Sequence, residues 1–154
     1  MALEIERKFL VSNDSWKASV IGSSKFIQAY LSHRPEGIVR LRITDGKAFL
    51  TIKGKTRGVK RHEWEYEIPL KDAYEMLENE IYEGSYLEKT RYFVEYMGEK
   101  WEVDEFHGKH EGLVLAEIEL PEIDSKFTIP PFVGKEVSND PRYFNSNLNL
   151  NGLS

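Results

Sequence analysis

Apolar and polar residues alternate along this chain in eight short stretches, 3–11, 26–32, 38–44, 48–54, 62–69, 87–96, 101–106 and 113–120. A period of two is the mark of a β-strand, whose successive side chains point to opposite faces. Turn-forming residues separate several stretches, namely Arg34-Pro35-Glu36-Gly37, Asp45-Gly46, Met97-Gly98 and His107-Gly108 through Gly112, so most neighbours are expected to pair antiparallel. The period changes once. Asp72 followed three residues later by Glu75 resembles a capping box, and Ala73, Met76, Leu77 and Ile81 recur at helical spacing before Gly84, which predicts a helix over 73–83. Shorter helical turns are expected near 14–19, 122–126 and 142–150, and Pro130-Pro131 imposes an extended break before the tail.

The parity of residue numbers shows what shares a face. Glu4, Glu6 and Lys8 oppose Leu3, Ile5 and Phe9; Arg40 and Arg42 oppose Val39, Leu41 and Ile43; Thr51 and Lys53 oppose Leu50 and Ile52. Glu63, Glu65 and Glu67 oppose Trp64, Tyr66 and Ile68, and Lys89 shares a side with Arg91. Glu102 lies with Asp104, and Glu117 with Glu119 opposes Ala116, Ile118 and Leu120. For one strand, the plain reading is a sheet with its charged face in water. Eight amphipathic strands, however, suffice to close a barrel that holds one small ligand, and closure also removes exposed edges. The fold class expected is therefore α+β, mainly β: a closed eight-stranded antiparallel β-barrel with a few flanking helices. Parity alone leaves open which face lines the interior.

Length and composition narrow the chemistry. A chain of 154 residues encloses one core, so one domain over 1–154 is expected. No run approaches the roughly 18 apolar residues a membrane helix needs. The opening Met-Ala-Leu-Glu-Ile-Glu-Arg-Lys, acidic from residue 4, leads us to expect neither a signal peptide nor an anchor. The chain has no cysteine, which suits a cytoplasmic location and restricts any metal to oxygen or imidazole ligands. A net charge of −5 argues against nucleic acid or anionic lipid as partner. A homodimer is compatible with these features.

If the charged face points inward, the interior holds six cations, Lys8, Arg40, Arg42, Lys53, Lys89 and Arg91. It also holds nine carboxylates, Glu4, Glu6, Glu63, Glu65, Glu67, Glu102, Asp104, Glu117 and Glu119. Desolvated charges need partners, a metal or a ligand. Clustered carboxylates suit a hard divalent cation such as Mg²⁺ or Mn²⁺. Lysine and arginine beside them suit phosphate oxygens.

At this point the ordered set Glu4-Ile-Glu-Arg-Lys8, Arg40-Leu-Arg42, Thr51-Ile-Lys53-Gly, Glu63-Trp-Glu65, Lys89-Thr-Arg91, Asp104 and Glu117-Ile-Glu119 resembles the CYTH superfamily, the triphosphate tunnel metalloenzymes. The resemblance runs from residue 3 to about residue 150, and the compact length is most similar to the small bacterial inorganic triphosphatases. It implies an eight-stranded tunnel that hydrolyses inorganic tripolyphosphate, or a nucleoside triphosphate, by in-line attack of water. Carried over by motif, Glu4, Glu6, Asp104, Glu117 and Glu119 would be the metal carboxylates. Lys8, Arg40, Arg42, Lys53, Lys89 and Arg91 would grip the triphosphate. Glu63 and Glu65 would stand by the attacking water or a second metal. Lys8 or Lys89, assisted by Tyr30 of Gln-Ala-Tyr-Leu, is a rival base. An adenylate cyclase, a thiamine triphosphatase, and a barrel that binds polyphosphate without cleaving it are the alternatives.

Other features carry less. Gly54-Lys55-Thr56 imitates the end of a phosphate-binding loop, but Phe49 stands where the first glycine is required. Among Lys53, Lys55, Arg57, Lys60 and Arg61, only Lys53 is expected in the site, the rest decorating a solvated hairpin loop. His107 and His110 read as loop residues without a third ligand, and Trp16, Trp64 and Trp101 as packing. Asp140-Pro141-Arg142-Tyr143 reads as a turn opening the last helix, with Arg142 exposed.

Overall fold

A computed structural model describes residues 2–145, 147 and 148, with side chains from residue 5 onward. Eight antiparallel strands form the wall: β1 (Ala2–Val11), β2 (Val20–Ser32), β3 (Ile38–Thr44), β4 (Lys47–Lys53), β5 (Lys60–Ile68), β6 (Leu87–Tyr96), β7 (Glu99–Phe106) and β8 (Val114–Glu119). They run in the order β5-β4-β3-β2-β6-β7-β8-β1, and β1 pairs with β5 to close the barrel. The eight expected strands are all present. The turns form as read: Gly37 N–H donates to the Arg34 carbonyl at 2.9 Å, 107–112 turns between β7 and β8, and Asp45-Gly46 and Met97-Gly98 are both at positive φ, the conformation a two-residue hairpin needs to match the twist of its strands.

The structure adds three things. β2 starts at Val20 because Gly22-Ser23-Ser24, which lacks alternation, is held by pairing with Phe93, Tyr92 and Arg91 of β6. A short β9 (Val133–Glu136) lies along β1, pairing Phe9 with Glu136 and Val11 with Val133. The helix α1 spans Leu70–Glu78 rather than 73–83: Pro69 occupies the cap, Asp72 falls in the first turn without capping, and Glu80 at positive φ ends the run. Acidic Asp72 still favours the positive end of the helix dipole. Of the shorter helical turns, Ser15–Ser19 forms a 3-10 turn, 122–126 forms a single turn closed by Ser125 N–H on the Glu122 carbonyl, and Pro141–Tyr143 forms another 3-10 turn. The rest of the stretch expected to 150 lies partly outside the described residues. No helix among the described residues is long and apolar enough to cross a membrane.

Two apolar layers cover the outer wall. Ala73, with Leu70, Met76 and Leu77 of α1, packs on Ala29, Leu41, Ile43 and Ala48. Trp16, Phe127 and Phe132 pack on Ile5, Phe9, Trp101, Val103, Ala116 and Ile118. Once these outward faces are removed from water, the opposite parity has only the lumen to face.

Candidate functional site

The register decides the question that parity left open. Across neighbouring strands, Lys8 faces Glu117, Glu117 faces Glu102, Asp104 faces Arg91, Arg42 faces Gln28, Arg40 faces Thr51 and Lys53 faces Glu63, all on the inner side. The described residues that are buried and polar are Lys8, Gln28, Arg40, Thr51, Lys53, Lys89, Thr90, Arg91, Asp104 and Glu117. All but Thr90 belong to this inner set, and Thr90 instead bonds His107 outside the wall, at 2.8 Å.

One end of the lumen is apolar. Tyr30, Ile38, Leu87, Phe106 and Leu115 point inward there and meet Val137 and Leu148 of the C-terminal segment, with Tyr143 beside them. The Lys8 ammonium donates to the Tyr143 carbonyl at 3.1 Å, and His110 Nε2 contacts the Leu148 carbonyl at 2.7 Å.

The centre is a clamp on one carboxylate. Arg91 donates from Nε to Asp104 Oδ1 at 2.8 Å and from Nη2 to Oδ2 at 2.9 Å, while Lys89 Nζ donates to Oδ2 at 2.7 Å. Burial works against the Asp104 charge, but the two cations and their hydrogen bonds hold its carboxyl well below the usual carboxylate range. Arg91 is correspondingly held above its ordinary value, burial being outweighed by Asp104. Lys89 goes the other way: burial outweighs Asp104, and repulsion from Arg91 and Arg42 helps draw it down to about 7. The two directions differ because Arg91 also has Glu102 at 3.5 Å, while Lys89 is the more deeply buried and feels Arg91 and Arg42. Asp104, grouped with the metal carboxylates by its motif position, thus has both oxygens engaged by side chains of the lumen.

A second cluster sets the buried Arg40 beside two more exposed carboxylates. Its Nη2 lies 3.9 Å from Glu63 Oε1, 3.7 Å from Glu65 Oε2 and 3.2 Å from Thr51 Oγ1, and Thr51 in turn donates to Glu65 at 2.9 Å. Arg42 is different. Its Nε donates to the neutral carboxamide oxygen of Gln28 at 2.9 Å, and its guanidinium lies 4.6 Å from the centre of the Phe26 ring. The same ring has Arg91 at 5.1 Å and Lys89 at 5.8 Å, so one apolar side chain spaces three cations. Burial, then Arg40 and Arg91, pulls Arg42 down to about 9. The guanidinium therefore keeps its proton at neutral pH.

Carboxylates crowd the neighbouring wall. Burial first, then Glu6, pushes Glu117 up; burial, with Glu117 and Asp104 adding to it, pushes Glu102 up. Like charges directly opposite on paired strands repel, and here Glu102 faces Glu117 while Glu6 faces Glu119. An oxygen-only donor set under such mutual repulsion fits a hard divalent cation. Among the described residues, no three acidic or imidazole side chains are gathered as a preformed cage. The Glu4 side chain lies outside the described ones. Glu119 is exposed, close to Glu102, Trp101 and Ile21 at the margin of the lumen. Glu67, also counted inward, is exposed at the far end of β5, opposite Phe49.

Three lumen residues escaped sequence reading. Arg61, assigned to a solvated loop, lines the cavity that Glu6, Lys8, Tyr30, Arg40 and Lys53 also line, and its Nε is buried without a partner among the described residues. Its register opposite Glu4 is what turns it inward. Gln28 and Phe26 sit on β2, where a neutral residue gives no charge signal; only the pairing of Gln28 with Arg42 and Phe26 with Lys89 reveals them. Gln28 is fully buried, and its Nε2 has no partner among the described residues. Such an orphaned donor costs about 1–3 kcal/mol. Trp16 and Trp101 are buried as expected, and Arg142 is exposed and paired with Asp140 at 2.8 Å, whereas Trp64, also expected to pack, is only half-buried and stacks on His62.

With this geometry in hand, comparison with known proteins is direct. The model of the CYTH domain matches residues 2–147. A protein of Acetivibrio thermocellus named inorganic triphosphatase is 47% identical over 148 residues, covering 96% of this chain and 94% of that one. An inorganic triphosphatase of Nitrosomonas europaea is 36% identical, covering 96% of this chain and 97% of its own. A crystal structure of an inorganic triphosphatase superimposes with a TM-score of 0.71 at 32% identity, covering 100% of this chain and 99% of that one.

Proposed function

Because the chain belongs to the CYTH domain family, we propose that its tunnel hydrolyses inorganic tripolyphosphate to pyrophosphate and orthophosphate with the help of a divalent cation, Mg²⁺ or Mn²⁺. The observation that carries this reading is the concentration of cations along the buried wall: Lys89 and Arg91 converge on Asp104, Arg91 has Glu102 besides at 3.5 Å, and Arg42 is held by a neutral amide. A polyanion complements them. The relatives named inorganic triphosphatase, similar over nearly their whole length, support it.

In this reading Arg40, Arg42, Lys53, Lys89 and Arg91 hold the phosphates, Arg with forked contacts and Lys with a point charge, and Arg61 extends the grip along the cavity. Glu6, Glu117 and Glu119, with Glu4 by its motif position, would hold the cation, which supplies charge neutralisation at the phosphate oxygens. Water attacks the terminal phosphorus in line as the anhydride bond breaks, and positioning with electrostatic stabilisation supplies most of the rate. The charge states bear on the base. Glu117, Glu6 and Asp104 outweigh burial and hold Lys8 above its ordinary value, while burial outweighs Arg40 and Arg42 and keeps Tyr30 a phenol. The Lys8 and Tyr30 pair therefore keeps its protons and binds, and the lowered Lys89 donates to Asp104. These features favour Glu63 or Glu65, of which Glu65 is oriented by Thr51, as the group that orients the water and takes its proton.

A phosphate-release panel with tripolyphosphate, ATP and thiamine triphosphate, each with Mg²⁺ and with Mn²⁺, tests the proposal. Tripolyphosphate is expected to be cleaved with the highest kcat/KM, and release only from ATP or thiamine triphosphate would overturn the substrate assignment. Cyclic product from ATP would point to the cyclase alternative. Arg42→Ala should raise KM for tripolyphosphate by about 10- to 100-fold, the worth of a hydrogen bond to a charged group at about 1.5–3 kcal/mol. Steady-state kinetics with unchanged KM would remove Arg42 from the phosphate-binding set.

A further inference from the structure

The structure assigns a role to Gln28, resting on the triphosphatase reading above: it is a positioning residue that presents the Arg42 guanidinium to the anionic substrate without neutralising it. Four neighbouring cations of the lumen are oriented by carboxylates. Lys89 and Arg91 are held by Asp104, Lys8 has Glu117 at 3.4 Å, and Arg40 has Glu63 and Glu65. Arg42 instead rests between two neutral groups, the carboxamide oxygen of Gln28 at 2.9 Å and the face of Phe26.

The orientation of the carboxamide follows from chemistry. A guanidinium has only donors, so the Gln28 oxygen must face it and the NH₂ must point the other way. That NH₂ is buried with no partner among the described residues, while the side chain is fully enclosed. Considered for stability alone, this is a poor choice. A glutamate would fit the same space, have no orphaned donor and form an ion pair with Arg42. The amide thus retains an uncompensated guanidinium at the cost of stability, as binding sites do when they need charge for a ligand. An arginine already paired with an internal carboxylate must give up that partner to bind phosphate; one fixed by an amide oxygen is oriented beforehand and keeps its full charge.

Two substitutions test this, measured by tripolyphosphate kinetics with Mg²⁺ and by thermal melting without ligand. Gln28→Glu is expected to raise the melting temperature of the ligand-free protein at neutral pH, to raise KM at least tenfold and to abolish the thermal shift on adding tripolyphosphate. Gln28→Met, similar in volume but without the acceptor, should raise KM several-fold while kcat stays within about twofold, the signature of lost uniform binding. Its effect should vanish in an Arg42→Ala background, because the role runs through Arg42. A Gln28→Glu protein less stable than the wild type, or a Gln28→Met effect on KM of equal size with and without Arg42, would overturn the role. Should Gln28→Met fail to fold, the sign of the Gln28→Glu melting shift still decides. A wild type that neither cleaves tripolyphosphate nor is stabilised by it would instead refute the triphosphatase reading, and the melting comparison would still report on the Gln28–Arg42 pair.

Discussion

Asp104→Asn should destabilise the protein by about 3–5 kcal/mol, the usual result of removing one partner from a buried ionic group. Asp104 is 1% exposed and is the carboxylate that both Arg91 and Lys89 contact, so an amide in its place takes from Arg91 its forked counter-charge and leaves Lys89, already drawn down to about 7, without the anion that favours its proton. Urea unfolding at neutral pH measures the loss. A double substitution, Asp104→Asn with Lys89→Met, should lose less than the sum of the two single changes, since the two side chains share one interaction. The pH dependence has a definite sign. The folded pKa of Asp104 is depressed, so its contribution is complete above the unfolded value near 3.9 and is lost as pH falls below it. The wild type should therefore lose stability below about pH 4 through a contribution that Asp104→Asn lacks. A variant as stable as the wild type would mean that the clamp is not structural.

Glu6→Gln is expected to act in the opposite sense, lowering metal-dependent hydrolysis by about 100-fold or more while leaving the fold intact. Even outer partners of metal ligands are worth about 10- to 100-fold, and a direct ligand should exceed that. Glu6 lines the cavity with Lys8 and adds to the repulsion at Glu117. Replacing its charge removes a strain from the ligand-free protein, so thermal melting should stay level or rise slightly. Glu119→Gln should show the same loss of activity. Phosphate release at the wild-type rate in both variants would sink the assignment of these carboxylates to the metal. Set beside Asp104→Asn, the pair separates a carboxylate that holds the lumen together from carboxylates that wait for a cation.

Much of the architecture follows from local chemistry. Strands arise wherever Leu-x-Ile or Trp-x-Tyr alternates with charge, and the Asp45-Gly46 and Met97-Gly98 turns need only their own residues to reach positive φ. The site is legible to the extent that its members are charged and share parity: Lys8, Arg40, Lys53, Lys89, Arg91, Asp104 and Glu117 are all found buried. Arg61 was hidden because a basic hairpin in an acidic chain looks like solvated surface until β5 is paired with β1. Phe26 and Gln28 were hidden because neutral side chains leave no charge pattern along the chain. The helix was displaced because Asp72 and Glu75 mimic a cap, whereas the chain enters the helix through Pro69.

The strands, the turns between them and the sharing of a face by particular side chains are readable along the chain, since these depend on a period of two and on residues a few positions apart. That the charged parity faces inward, and that Asp104 is clamped by Arg91 and Lys89 while Arg42 is left to an amide, depends on the folded barrel. Those outcomes are set by which strands become neighbours and by what covers the outer wall. They join residues far apart in the chain, whose meeting no local pattern records.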